Sequence, residues 1–255
     1  MPRRQPSFWK NWTTQEVCNM NDILHADNLT KQYQNKTALD HFSVNLPAGR
    51  IIGLLGPNGS GKTTFMKLAA GLLTATSGSI TIDADAIGVT TKAKIAYLPD
   101  RLCFNRERKV REQLDYFQDF YPDFDRPRAE AMLNELKIDP NAKFKTLSLG
   151  NQEKAQLVMT MARRAKLYLL DEPIGGVDPA ARDYILDTIL CNYNPEATVV
   201  ISTHLIADVE RILDDVLFLK DGKLFLQGNA DEIREQHNCS LDQLFREVFT
   251  CSANS

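Results

Sequence analysis

Residues Gly56-Pro57-Asn58-Gly59-Ser60-Gly61-Lys62-Thr63 satisfy the pattern G-x-x-x-x-G-K-[ST] at every fixed position. The apolar run Arg50-Ile51-Ile52-Gly53-Leu54-Leu55 precedes it, and Thr64-Phe65-Met66-Lys67-Leu68-Ala69-Ala70 follows. Strand, glycine loop and helix is the order that a phosphate cradle needs. Glycines let backbone N–H groups converge on an anion with no Cβ in the way. The helix N-terminus adds partial positive charge. Lys62 can neutralise β and γ phosphates, and Thr63 can supply a hydroxyl to Mg²⁺.

The rest of the chain alternates strand and helix. Short β-type runs fall at 22–29, 40–46, 50–55, 79–83 and 94–98, and the near-continuous apolar runs 166–170 and 198–202 suit strands buried on both faces of a parallel sheet. Helical patterns are expected at 62–73, 180–193, 204–213 and about 230–249. This alternation indicates an α/β fold. Asp221-Gly222 between two apolar runs predicts a hairpin. Residues 104–147 differ: Val110, Leu114, Phe117 and Tyr121 share a helical face, and a second helix opens near Pro127. They read as a small helical lobe inserted into the α/β core.

The length of 255 residues allows one large core with a small second lobe. A net charge of -3 argues against sequence-independent nucleic-acid binding, and no nucleic-acid partner is expected. The cysteines at 18, 103, 191, 239 and 251 form no C-x-x-C pair, so free thiols are expected rather than disulfides or zinc. No run approaches the ~18 apolar residues of a membrane span, and the basic N-terminus lacks the apolar core of a signal peptide. A place on the cytoplasmic side follows, with any membrane role requiring a partner. Residues 1–19 read as an N-terminal extension, either an unordered tail or a stretch before a start at Met20. Phe8, Trp9 and Trp12 leave open an apolar stripe for lipid or a partner.

Two further segments bear chemistry. Tyr168-Leu169-Leu170-Asp171-Glu172 is an apolar strand ending in adjacent carboxylates, a costly placement unless a cation or hydrogen bonds compensate. Asp171 is the candidate holder of Mg²⁺ and Glu172 the candidate base for an attacking water; such a carboxylate should have a raised pKa. Leu147-Ser148-Leu149-Gly150-Asn151 precedes a helix. Ser148 suits an N-cap, and the same geometry aims a hydroxyl and free N–H groups at an anion.

In this order, the phosphate loop, helical insert, Ser-x-Gly before a helix, and strand with Asp-Glu resemble the ATP-binding subunit of an ABC transporter. Leu147 to Asn151 resembles the LSGGQ signature, with Leu149 in place of the first glycine and Asn151 in place of glutamine. The resemblance spans about residues 21–228, continues through the last helix, and is nearest to bacterial export-type cassettes. It implies a P-loop NTPase core with a mostly parallel central sheet, N-terminal antiparallel strands and the inserted helical lobe at about 104–147, all within one ATP-binding domain over 20–255. It also implies ATP and Mg²⁺ as ligands. Nucleotide contacts then fall to Gly56, Pro57, Asn58, Gly59, Ser60, Gly61, Lys62, Thr63, Thr64, Ser148 and Gly150. Tyr33 matches the aromatic that stacks on adenine, though an ordinary strand-end tyrosine fits too. Asp178, in Gly175-Gly176-Val177-Asp178-Pro179, matches the loop linking two active sites, and Asp before Pro is also a good helix start. His204 matches the histidine that reaches the γ-phosphate. Asp100 falls where the family has a glutamine near Mg²⁺, which makes it a metal candidate with Thr63 and Asp171.

The family geometry implies two ATP-binding subunits, as a homodimer or heterodimer, packed head to tail with ATP between the loop of one and Ser148 of the other. A transmembrane permease would receive the motion. The chain ends soon after its last expected helix, so the regulatory domain of many importers is not expected and export is favoured. Two rivals stand beside this reading: a non-transport ABC ATPase of translation or DNA maintenance, and a regulatory nucleotide-binding module with little turnover.

Overall fold

Ten strands and nine helices occur among the described residues, which in this computed structural model are 21–177 and 179–250. The readings of residues 1–19 and of Asp178 lie outside them. The strands are β1 (Asp22–Tyr33), β2 (Lys36–Pro47), β3 (Ile51–Leu55), β4 (Ser77–Ile82), β5 (Asp85–Ala86), β6 (Ile95–Leu98), β7 (Leu167–Asp171), β8 (Thr198–Thr203), β9 (Asp215–Lys220) and β10 (Lys223–Asn229). The helices are α1 (Lys62–Ala69), α2 (Val89–Lys94), α3 (Val110–Phe120), α4 (Arg126–Glu135), α5 (Leu149–Met161), α6 (Pro179–Asn192), α7 (Ile206–Val209), α8 (Ala230–His237) and α9 (Leu241–Thr250).

Two sheets result. One is antiparallel, in the order β2-β1-β4-β5. The other runs β10-β9-β3-β8-β7-β6 and is parallel throughout except for the β9–β10 hairpin. Its inner strands β3, β8 and β7 are buried on both faces, which explains their near-continuous apolar sequences, whereas the edge strand β10 is largely exposed. Ile51, Leu55, Tyr168, Leu170, Val199 and Ile201 face a core shared with α5, α6 and the lobe. Their alternates Ile52, Leu54, Leu167, Leu169 and Val200 face a second core, where Phe65, Met66 and Leu68 of α1 meet Leu24, Phe42 and Leu46 of the antiparallel sheet. Fully burying each such Leu, Ile or Val contributes about 1.5–3 kcal/mol.

Helices α3 and α4 stand between β6 and α5, where the aromatic periodicity placed them. Phe117 packs on Phe104, Tyr121 and Phe124 at centroid distances of 5.6, 5.3 and 5.4 Å. Arg163, just past α5, ties this region to the sheet edge. Its buried guanidinium lies 4.0 Å from the Tyr121 ring centroid, pairs with Asp123 at 3.1 Å and donates to the carbonyls of Ala93 and Ile95.

Several expected boundaries move. The helix expected at 62–73 ends at Ala69, because Gly71 adopts φ 66° and turns the chain out. The pattern at 204–213 yields only the single turn α7 and a tight turn at 210–212. The chain must reverse there into β9, and Asp214 is already bonded to β3 through Ile51. The last helix is two, broken at Asn238 with φ 50°. Strands β1 and β2 are longer than their hydrophobic patterns, since cross-strand pairing carries them past irregularities at Asn28 and His41, both at positive φ. The predicted Asp221-Gly222 turn forms with φ 48° and 77°. Its Gly222 N–H donates to the Ser60 carbonyl at 3.0 Å, and the Gly222 carbonyl accepts from Asp40 N–H at 2.9 Å.

Candidate nucleotide-binding and active site

The glycine loop leaves β3 at the C-terminal rim of the parallel sheet and enters α1. Gly61 holds φ 112°, and a Cβ there would sit 2.5 Å from the Ala38 carbonyl oxygen. Gly59 holds φ 83° and faces open space. Among the described residues no side chain caps α1, so its first-turn N–H groups remain for an anion. Asn58 and Gly59 are exposed, Pro57, Thr63 and Thr64 half-buried, Gly56 and Ser60 buried. The Ser60 hydroxyl is buried without a partner among the described residues.

Lys62 is 5% exposed. Its ammonium donates to the Gly56 carbonyl at 2.8 Å and the Pro57 carbonyl at 3.3 Å, and pairs with Glu172 Oε1 at 3.2 Å. All three of its donors are thereby used. Glu172 Oε2 lies 3.1 Å from His204 Nδ1. The glutamate therefore bridges the cradle lysine and the histidine that follows β8. It stands just beyond β7 with φ 49°, a conformation its neighbours must enforce.

Asp171 is fully buried at the end of β7. The Ser202 hydroxyl donates to its Oδ1 at 2.6 Å, the Thr63 hydroxyl to the same oxygen at 3.1 Å, and the Tyr97 hydroxyl to Oδ2 at 3.4 Å. Burial pushes the Asp171 carboxyl up from its ordinary pKa, the Ser202 and Thr63 hydrogen bonds oppose this, and the charges of Asp100 and Glu172 add to it. Burial, with the charge of Asp171, likewise raises Tyr97. A buried carboxylate beside a threonine hydroxyl is a hard-oxygen pair that fits Mg²⁺, whose remaining positions phosphate and water would fill. Among the described residues no cluster of three His, Cys, Asp or Glu could hold a metal alone.

Other predicted residues are dispersed. Asp100 occupies the exposed turn after β6, with Arg101 Nε at 4.0 Å, and influences Asp171 through charge rather than by a hydrogen bond. Tyr33, 43% exposed, ends β1 with the Lys31 ammonium 5.2 Å from its ring centroid. It lies on the hairpin whose second strand carries Ala38 against Gly61. Ser148 caps α5, accepting from Asn151 N–H at 3.3 Å. It is exposed, Leu149 beside it is 62% exposed, and a Cβ on Gly150 would meet nothing. Among the described residues no hydrogen bond or ion pair joins 147–151 to the glycine loop or to Asp171 and Glu172 of the same chain. Sequence reasoning missed Ser202 and Tyr97. A serine inside an apolar strand, two positions before a motif histidine, was the available signal.

A glycine cradle on a parallel sheet, facing two carboxylates on a nearby strand, defines a phosphate-loop nucleotide-binding protein. The sequence profile of the ABC transporter family matches residues 39–175, more than half of the chain, and the protein belongs to that family as one of its ATP-binding subunits. It is 33% identical over 219 residues to the uncharacterised ABC transporter ATP-binding protein MJ1023 of Methanocaldococcus jannaschii, covering 84% of this chain and 80% of the relative. It is 29% identical to the linearmycin resistance ATP-binding protein LnrL of Bacillus subtilis, over 83% of this chain and 70% of that one. A solved ATP-binding subunit of an ABC transporter superposes with a TM-score of 0.80 at 27% identity, covering 89% of this chain and 99% of that one. The dimeric bacterial cassette MJ0796 shares the fold with a TM-score of 0.72 at 24% identity, over 81% and 98% of the two chains.

Proposed function

We propose that this subunit binds and hydrolyses MgATP, closes head to tail with a second ATP-binding subunit, and thereby drives a transmembrane permease from the cytoplasmic face of the membrane. The observation that carries this reading is the Lys62–Glu172–His204 chain of contacts at the mouth of an uncapped helix. Triphosphate oxygens would replace the Gly56 and Pro57 carbonyls on Lys62. Glu172, released from the lysine, would orient the attacking water and take its proton as oxygen bonds to the γ phosphorus and the bond to ADP breaks. His204 would hold the γ-phosphate side of that arrangement. Thr63 and Asp171 would hold Mg²⁺, which when bound neutralises charge on the β and γ oxygens; Asp100 would act on it through water. Tyr33 would stack on adenine.

Ser148, exposed, and Gly150, half-buried, are unattached to their own cradle among the described residues and would complete the site of the other subunit, in a C₂ arrangement. ATP then stabilises the closed dimer because it makes contacts only there. Light scattering tests this. With ATP and Mg²⁺, and hydrolysis blocked, the 28.8 kDa chain should double in mass, and Ser148→Arg should remain single at an unchanged melting temperature. A dimer that forms equally well in Ser148→Arg contradicts the head-to-tail arrangement.

No helix of the described residues is long and apolar enough to cross a membrane, so attachment would run through the permease. A cavity of about 420 Å³ beside α3, lined by Phe104, Arg108, Tyr116, Phe117 and Gln156, is the surface we assign to it. Arg108 lies 5.8 Å from the Tyr116 ring centroid and has no ion-pair partner among the described residues. Reversing its charge in Arg108→Glu is expected to weaken permease association by about tenfold or more, measured as the fraction of subunit retained on washed native membranes. Undiminished retention would move the docking surface elsewhere. The likeness to LnrL, named for linearmycin resistance, supports export as the direction.

A further inference from the structure

Ser202 is fully buried in β8, the strand between the cradle strand β3 and the carboxylate strand β7. It lies in register with Leu54 on one side and Asp171 on the other. A serine hydroxyl has one proton to give and two lone pairs to accept with. The proton goes to Asp171 Oδ1 at 2.6 Å, and a lone pair accepts the Glu172 N–H at 3.1 Å. That N–H is shared with the Ser202 carbonyl at 3.0 Å. One residue thus touches the side chain of Asp171 and the backbone of Glu172.

We propose that Ser202 is a positioning residue whose single hydroxyl fixes the metal-side carboxylate and the water-side glutamate relative to each other. The inference rests on the reading of this site as a MgATP hydrolase. Three considerations carry it. A buried carboxylate is costly unless hydrogen-bonded, and among the three hydroxyls on Asp171 that of Ser202 is the nearest. Thr63 belongs to the helix that must grip phosphate, whereas Ser202 is anchored by sheet pairing on both sides. Glu172 occupies the left-handed region, which persists only where surroundings over-determine it. The two acceptors of Ser202 on one N–H provide that constraint and send the side chain toward Lys62 and His204. Accepting from Glu172 also polarises the hydroxyl toward Asp171.

The test compares full-length wild type, Ser202→Ala and Ser202→Thr. In Ser202→Ala, kcat for ATP should fall about tenfold while KM changes less than about twofold. Affinity for Mn²⁺ in the presence of ADP, read by electron paramagnetic resonance, should also fall about tenfold. ADP affinity in chelator, with no metal, should match wild type, because the cradle does not depend on Ser202. Ser202→Thr, which keeps the hydroxyl, should restore both kcat and Mn²⁺ affinity. Wild-type kcat and Mn²⁺ affinity in Ser202→Ala overturn the proposal. So does a loss of metal-free ADP affinity that tracks a lowered melting temperature, since that pattern marks a folding role. Absence of ATP turnover in the wild type would instead overturn the functional reading, and the Mn²⁺ titration would still decide on Ser202.

Discussion

ATP hydrolysis by Glu172→Gln is expected to fall by about 10²- to 10⁴-fold, the range that a positioned general base supplies. Glutamine keeps the size and the hydrogen-bonding oxygen but cannot accept the proton of the attacking water. Its contact to Lys62, 3.2 Å in the native protein, loses its ionic character, which removes a competitor for the lysine. ATP should therefore stay bound, and the closed dimer should accumulate with ATP and Mg²⁺ present. Phosphate release and light scattering on the same sample check both halves. Turnover at the native rate would remove Glu172 from the chemistry.

Lys62→Ala is expected to weaken ATP binding by about 10²-fold or more. Lys62 is nearly inaccessible and spends its three donors on two loop carbonyls and Glu172. Removing one member of a buried charge pair costs about 3–5 kcal/mol, since the other charge is left without compensation, and each 1.4 kcal/mol is about tenfold in affinity. In the bound state the group left without its cation is the triphosphate, which weakens binding; the Glu172 carboxylate stranded before ATP arrives lowers stability instead. Binding of a fluorescent ATP analogue reads the loss, and a melting curve separates it from unfolding. Native affinity in Lys62→Ala would mean that the phosphates lie elsewhere.

The parts of this architecture legible in the sequence are those set by local rules. The glycine loop was readable because Gly59 and Gly61 need backbone angles that other residues resist. Strands β7 and β8 were readable because burial on both faces leaves an uninterrupted apolar run. The Asp221-Gly222 hairpin follows from turn chemistry alone. What escaped depends on distant pairings. Lys62 and Glu172 meet across separate elements, and no spacing announces that meeting. Ser202 looks like an ordinary strand residue until β7 is laid beside β8. The stretch after His204 has helical periodicity, yet the need to rejoin β3 through Asp214 leaves it one turn. Asp100 takes the position of the family's glutamine near Mg²⁺, but its side chain faces solvent beside Arg101.

The bond from Gly222 to Ser60 gives the far end of the chain a hold on the nucleotide loop. Leu219 reinforces it, its carbonyl lying 2.5 Å from where a Cβ on Gly56 would stand. Tight surface turns ordinarily absorb inserted peptides without harm. A tag threaded between Asp221 and Gly222 would instead disturb the floor beneath the triphosphate. A fragment truncated ahead of residue 219 would retain the eight-residue fingerprint while lacking the scaffold that gives it shape.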